Sequence, residues 1–429
     1  MKRRRDPVRV VPSPPAWPGL FIGAPLYPPV IPLCAGPQQA LLVLGPPRSG
    51  KTTSVVVPNL LIAPGALVTT STKTDIIHYS ARVRAQRGRA WLFDPSGAVS
   101  PGWLTPLRWS PVTGCEHWQV AVFRAHALAT TAHPARGLMG AEHWTERAEA
   151  LLAPLLHAAA LGGWTMAQVL RWVQRRDVSE GVMETEERER SGIFSTAANI
   201  LAAYRLPSAL EAAAQPNFDP DAFVRSSDTV YICAPASEQE QLAPLVVAFL
   251  ETVRRATYAR GTAWPPVLFV LDEVANIAPL PNLPALVSEG GGQGLVTLAC
   301  LQDLSQARAR WGEAAEGFLT LFGAKLLLPG IADLRTLQLV SALAGERYEA
   351  TQSYSQNGSP VAALFGAGHY STGTTTHWQR VPAMRVEEIS RLAPGTALMI
   401  GSGTQPCPVR LVSAWEDPWR AVIERAGTN

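Results

Sequence analysis

No stretch of this 429-residue chain runs for about 20 apolar residues without interruption, so nothing in it reads as a bilayer-spanning helix. Cysteine is scarce: Cys34, Cys115, Cys233, Cys300 and Cys407 stand singly, with no C-x-x-C pair. That pattern reads as reduced, buried thiols and not as a disulfide framework. The eight histidines fall at no metal-ligand spacing. Net charge is nearly absent too. A formal +3 neither demands nor excludes nucleic acid, and any basic surface must be local. No internal repeat is present.

What the chain has in quantity is apolar residues, 47% of the total, and proline, 37 residues. Its length suits one large α/β domain with a second one inserted or appended. Lys2–Arg5 followed by the apolar stretch Trp17–Ala35 imitates an anchor sequence. Pro18, Pro25, Pro28, Pro29 and Pro32 interrupt it, and each removes a backbone donor that a membrane helix needs. Residues 1–36 are therefore expected to form an extended proline-rich arm on a soluble, cytoplasmic chain.

Short continuous apolar runs recur, the pattern of strands buried on both faces of a mostly parallel sheet. They are Ala40–Leu44, Ala66–Thr69, Ala90–Phe93, Thr229–Cys233, Val267–Leu271, Leu295–Leu301, Ala324–Leu328 and Ala397–Ile400. From His117 to Arg205 no such run occurs, and the sequence reads as successive helices. An inserted all-helical domain is assigned to 113–210, splitting a nucleotide-binding domain into 37–112 and 211–429. Ser237 with Glu240 reads as a capping box opening a helix towards Arg260, with Pro244 inside it. Thr351–His377, rich in Ser, Thr and Gly, reads as a long loop.

Gly45-Pro46-Pro47-Arg48-Ser49-Gly50-Lys51-Thr52 fits G-x-x-x-x-G-K-[ST], between a strand and a helix beginning at Thr53. The glycines let main-chain N–H groups turn inward onto phosphates, and the helix N-terminus adds partial positive charge. Lys51 is expected to reach the β- and γ-phosphates of ATP and Thr52 to ligate Mg²⁺. A hydrolase also needs a carboxylate at a neighbouring strand end, and Val267–Leu271 leads into Asp272-Glu273. Asp272 would hold the metal and Glu273 would orient and deprotonate the attacking water. Leu295–Leu301 ends at Gln302, placed to sense the γ-phosphate. All three motifs sit at carboxyl ends of strands, where open α/β sheets bind ligands.

Together, GPPRSGKTTSVVVPNLL (45–61), TSTKTDIIHYSARVRAQRGRAWLFDPSG (70–97), the Asp-Glu-x-Ala-Asn stretch from 271 to 312 and PAMRVEEISRLAPGTALMI (382–400) resemble the TraG/TraD-like coupling proteins of conjugation and type IV secretion. The resemblance implies a RecA-like P-loop fold, a ring (hexamer), and ATP-driven DNA transfer. It implies partners as well: DNA, a relaxase–DNA complex (relaxosome) and secretion-channel components. Two departures stand out. The family usually carries N-terminal membrane helices, whereas this sequence reads as having none, so the expectation is either an anchor on another protein, with a peripheral location at the inner membrane face, or a cytosolic variant. Relatives also often place an arginine where this chain has Gly291, which implies either slow hydrolysis or a substitute acting in trans, with Arg48, Arg308 and Arg310 as candidates.

For DNA contact, Arg82, Arg84, Arg87 and Arg89 form the densest basic cluster, against the alternative of a solubilising face. The principal reading is an ATP-hydrolysing DNA translocase. A different class, an ATP-binding receptor that docks substrates onto the channel with little turnover, is separable by DNA stimulation of hydrolysis. A P-loop kinase fits poorly. Lys51→Ala should abolish ATP binding measured by calorimetry, and retained affinity would defeat the P-loop assignment.

Overall fold

A computed structural model describes residues 17–27, 32–100, 102–132, 141–176, 187–357, 371–401 and 405–427. Lys2–Arg5 lies outside them. Twelve strands form one sheet: β1 (Phe21–Pro25), β2 (Leu33–Cys34), β3 (Leu41–Leu44), β4 (Leu67–Ser71), β5 (Ala90–Phe93), β6 (Thr105–Pro106), β7 (Thr229–Cys233), β8 (Val267–Leu271), β9 (Leu295–Leu301), β10 (Ala324–Leu327), β13 (Thr396–Gly401) and β14 (Cys407–Arg410). β11 (Glu346–Asn357) and β12 (Ser371–Pro382) pair separately. The sheet order is β2-β1-β14-β13-β10-β3-β9-β8-β4-β7-β5-β6. From β10 to β6 every pairing is parallel.

The apolar runs form strands because both of their faces are covered. Leu42, Leu44, Phe269 and Leu271 enter one core, while Leu41, Val43, Leu268 and Val270 enter another across the sheet. The second core is closed by α1 (Val57–Ile62) and α2 (Asp75–Ala85), through Leu60, Ile76 and Ala81. The first is closed by the helices between β6 and β7, which are α3 (Trp118–Ala129), α4 (Ala141–Leu161), α5 (Met166–Arg175), α6 (Glu187–Ile200), α7 (Pro207–Ala214) and α8 (Pro220–Phe223), and by α9 (Gln239–Arg260). Arg124 of α3 docks this helical layer. It is buried, stacks 4.7 Å over Trp109, and donates to the Ala248 carbonyl at 3.2 Å and to Thr252 Oγ1. None of the described helices is long and apolar enough to cross a membrane.

Four expectations need correction. Ala397–Ile400 is a strand but antiparallel, within a β10-β13-β14-β1-β2 extension whose pairings are all antiparallel. The supposed arm joins that extension: Leu20, Phe21, Ile22 and Ala24 are buried, and Asn59 of α1 binds Phe21 through both its amide atoms, at 2.8 and 2.9 Å. Thr351–His377 is no simple loop. Its described parts belong to β11 and β12, an antiparallel ribbon in register from Glu346↔Pro382 to Asn357↔Ser371. Threonine and tyrosine suit an extended backbone even without a core face. No capping box forms at Ser237 either, since α9 starts at Gln239 behind Glu238, which makes no side-chain cap.

The basic cluster divides. Arg84 is fully buried and holds strand and loop ends together, donating to Ala63 O (2.6 Å), Gly65 O (2.8 Å), Ser227 O (2.9 Å) and Thr229 Oγ1 (2.8 Å). Burial lowers its pKa to about 10. It cannot reach DNA, whereas Arg82, Arg87 and Arg89 are exposed. Removing Arg84 strands buried carbonyls without donors. Arg84→Met should therefore cost about 3 kcal/mol or more by denaturant unfolding, against less than about 0.5 kcal/mol for Arg82→Ala. Equal midpoints would contradict this.

Candidate functional site

β3 delivers the phosphate loop. Gly45 N–H donates to Leu301 O of β9 at 3.1 Å, which pins the loop start to the neighbouring strand. No side chain fits there, because a Cβ on Gly45 would meet Ser49 Oγ at 2.6 Å and Leu328 Cβ at 2.9 Å. Gly50 takes φ +96°, which suits glycine alone. Arg48, at φ +66°, bears a real backbone strain on the exposed rim. Beyond the loop the first turn is wide: Thr52–Val56 is a π-helix, with Val57 N–H bonded to Thr52 O, before α1 continues. Pro58, which has no N–H to give Ser54, suits this departure from the α pattern.

β9 lies between β3 and β8, so the two motifs face each other across one strand. Thr52 Oγ1 donates to Asp272 Oδ2 at 2.9 Å. Asp272 is buried, and its carbonyl accepts from Thr70 Oγ1 of β4 at 2.8 Å, which fixes the end of β8. Burial raises its pKa, against the lowering effects of Thr52 and of the Lys51 charge. Lys51 is buried and its ammonium donates to Gly45 O at 2.5 Å and Pro46 O at 3.1 Å, across the loop mouth. Glu273 stands at φ +51°, a strained left-handed position, with its carboxylate accepting from Asn276 Nδ2 at 3.2 Å. Pro47–Thr53, Asp272 and Glu273 line one cavity of about 480 Å³ with Ser71, Thr72, Lys73, Asp75 and Trp415.

Of the expected residues, Gly45 and Pro46 lie behind the cavity and Gln302 is not part of its lining. Gln302 follows Leu301 directly and donates its N–H to Gln306 Oε1 at 3.0 Å. Arg308 pairs with Asp333 at 2.9 Å, and Arg310 donates to Thr131 O at 3.1 Å, so both are engaged within the chain. The Gly291 position is sealed: a Cβ there would stand 2.0 Å from Gln38 O. Sequence reasoning missed Thr70, Lys73, Asp75 and Trp415. The signal for the first three was their place in the 70–97 stretch that carried the resemblance, just past the apolar part of β4, and Trp415, far along the chain, gave none.

Two family profiles match: "Type IV secretory system Conjugative DNA transfer" over residues 31–180, and "TraM recognition site of TraD and TraG" over 266–394. The chain belongs to the TraG/TraD-like coupling proteins. VirD4 of Rhizobium rhizogenes is 24% identical over 90% of the chain and 60% of its own length. The conjugal transfer protein TraG of Escherichia coli is 24% identical over 64% of the chain and 50% of its own. The chain thus spans only 50–60% of these curated relatives. Among solved structures, the bacterial conjugative coupling protein TrwBdeltaN70 in its unbound form superposes with TM-score 0.70 at 19% identity, covering 89% of this chain and 87% of its own. TrwB with ADP and Mg²⁺ gives 0.63 at 18% identity, covering 88% and 86%. This coupling protein therefore has the RecA-like P-loop fold.

The raised pKa of Asp272 carries a sign. Its folded form prefers the proton, so ionisation costs stability that is intact below the unfolded carboxylate pKa and lost as pH rises through the higher folded one. Without nucleotide or metal, Asp272→Asn should melt above the parent at pH 8, with the gap closing on acidification. Mg²⁺ with ATP should raise the melting temperature of the parent only. An asparagine variant less stable at pH 8 would oppose this reading.

Proposed function

We propose that this coupling protein binds ATP with Mg²⁺, hydrolyses it, and uses the cycle to move DNA presented by a relaxase towards a type IV secretion channel. The observation that carries the reading is the Thr52–Asp272 contact, with Glu273 beside it. A hydroxyl and a carboxylate, both oxygen donors, converge beside an anion-binding loop, and that donor set fits Mg²⁺. Ser49 Oγ, buried in the loop, has no partner among the described residues, which suits a phosphate oxygen. TrwB, with the same fold, has been crystallised with a non-hydrolysable ATP analogue and with ADP and Mg²⁺.

The roles follow from position. Lys51 moves its ammonium from the carbonyls of Gly45 and Pro46 to β- and γ-phosphate oxygens. Thr52 and Asp272 would hold Mg²⁺, whose charge would neutralise that of the phosphates when bound. Glu273, held by Asn276, accepts a proton from the attacking water, while Gln302, at the end of the strand between the two motifs, senses the γ-phosphate. Arg82, Arg87 and Arg89 are the surface cations of the basic cluster that could meet a DNA backbone. Assembly into a hexameric ring and docking on relaxosome and channel belong to the same proposal. Domain limits near 113 and 210 do as well.

A second reading, a receptor with little turnover, draws on two observations: no arginine fits at Gly291, and Arg308 and Arg310 are engaged within the chain, which leaves Arg48 on the cavity rim as the remaining candidate. An ATPase assay with and without single- and double-stranded DNA separates the two. The motor predicts DNA-stimulated turnover, lost by a factor of roughly 10² or more in Glu273→Gln with ATP binding retained. Turnover that ignores both DNA and the Glu273→Gln change would sink the proposal.

A further inference from the structure

Trp415 stands in the nucleotide cavity without any part in the phosphate chemistry. Its indole lines that cavity, yet 53% of the residue is exposed. An aromatic side chain of this size can bury roughly 150–250 Å². Holding it half out, over a polar cavity, forfeits that burial unless something covers it.

The segment that carries it is fixed. Buried Ala414 donates its N–H to Thr53 O at 2.9 Å. Glu416 closes the turn, accepting from Ser413 N–H at 3.2 Å and from Arg410 Nη2 at 2.6 Å. The indole meets Tyr79 of α2 in a T-shaped contact, with centroids 5.1 Å apart and planes at 81°. Such a contact covers one side of the indole at most.

The ligand's direction is set by the loop. Lys51, Asp272 and Glu273 mark the end that takes the β- and γ-phosphates. The segment carrying Trp415 is tied instead, through Ala414, to Thr53, two residues past Lys51. What continues beyond the α-phosphate of a nucleotide is the nucleoside. We infer that Trp415 is the platform on which the nucleotide base stacks, making it a specificity-determining residue of the site. The inference rests on the nucleotide-binding reading above. A stacking surface grips a base by its face and does not read its edge. Purine triphosphates should therefore bind better than pyrimidine ones, with little choice between adenine and guanine.

The test is calorimetric titration of the full chain with ATP, GTP, CTP and inorganic triphosphate, each with Mg²⁺. Trp415→Ala should weaken ATP and GTP by roughly 5- to 100-fold, as expected for one lost base stack. It should leave inorganic triphosphate, which has no base, unchanged, and Trp415→Phe should recover most of the loss. Equal weakening of ATP and inorganic triphosphate would mean that Trp415 merely braces the loop, and would overturn the inference. Unchanged ATP affinity would overturn it as well. Lys51→Ala, losing both probes in the same assay, keeps the phosphate site standing if Trp415 fails. A parent chain that binds neither probe would remove both.

Discussion

The hydrogen bond from Thr52 to Asp272 joins residues far apart in the chain and defines the site. It exists only because β9 separates β3 from β8, so that two loops leaving parallel strands arrive side by side. Everything chemical is arranged around it: the lysine on one side, the strained Glu273 on the other, and Thr70 locking the strand end from behind. A buried carboxylate with one hydroxyl and one main-chain N–H donor is poorly solvated for its charge, so the fold keeps an acceptor that a cation or a further donor can satisfy at a profit. Stability and ligand affinity oppose each other at this residue, as is common where a site is held ready for its ligand.

Where one local rule governs, the sequence was readable. The eight apolar runs lie on strands of the sheet because burial on both faces leaves little choice of residue, and the phosphate loop was readable because its glycines answer backbone demands. Where structure depends on distant partners, the signal failed. Strand β1 is made by a neighbour at the other end of the chain and by Asn59, neither of which leaves a periodicity. Ribbon β11–β12 has no buried face among its described residues to pattern it: Tyr348, Tyr354 and Trp378 are all exposed. Arg84 counted as surface by type and proved to be interior by context, since four acceptors converge on it.

The glycine at 291 has a steric cause. The turn Gly290–Gln293 lies directly against the backbone of Gln38, and a side chain at 291 would have to push that segment away. Gln38 belongs to the approach to β3, and so to the phosphate loop itself. Residues 291 and 38 are thereby constrained as a pair.

The edge of the sheet joins the two ends of the described chain, with Ala24 opposite Arg410. During synthesis β1 can pair with β2 soon after it emerges, but its other edge must wait until β14 has left the ribosome. The phosphate loop and its helix can take shape early, with Asn59 already able to bind Phe21, but Thr53 gains its partner only once Ala414 has been made. Closure of the edge and completion of the cavity therefore come late and together, a long-range step of the kind that folds slowly. A truncated translation product would present an open, apolar sheet edge, a surface that protein quality control can recognise.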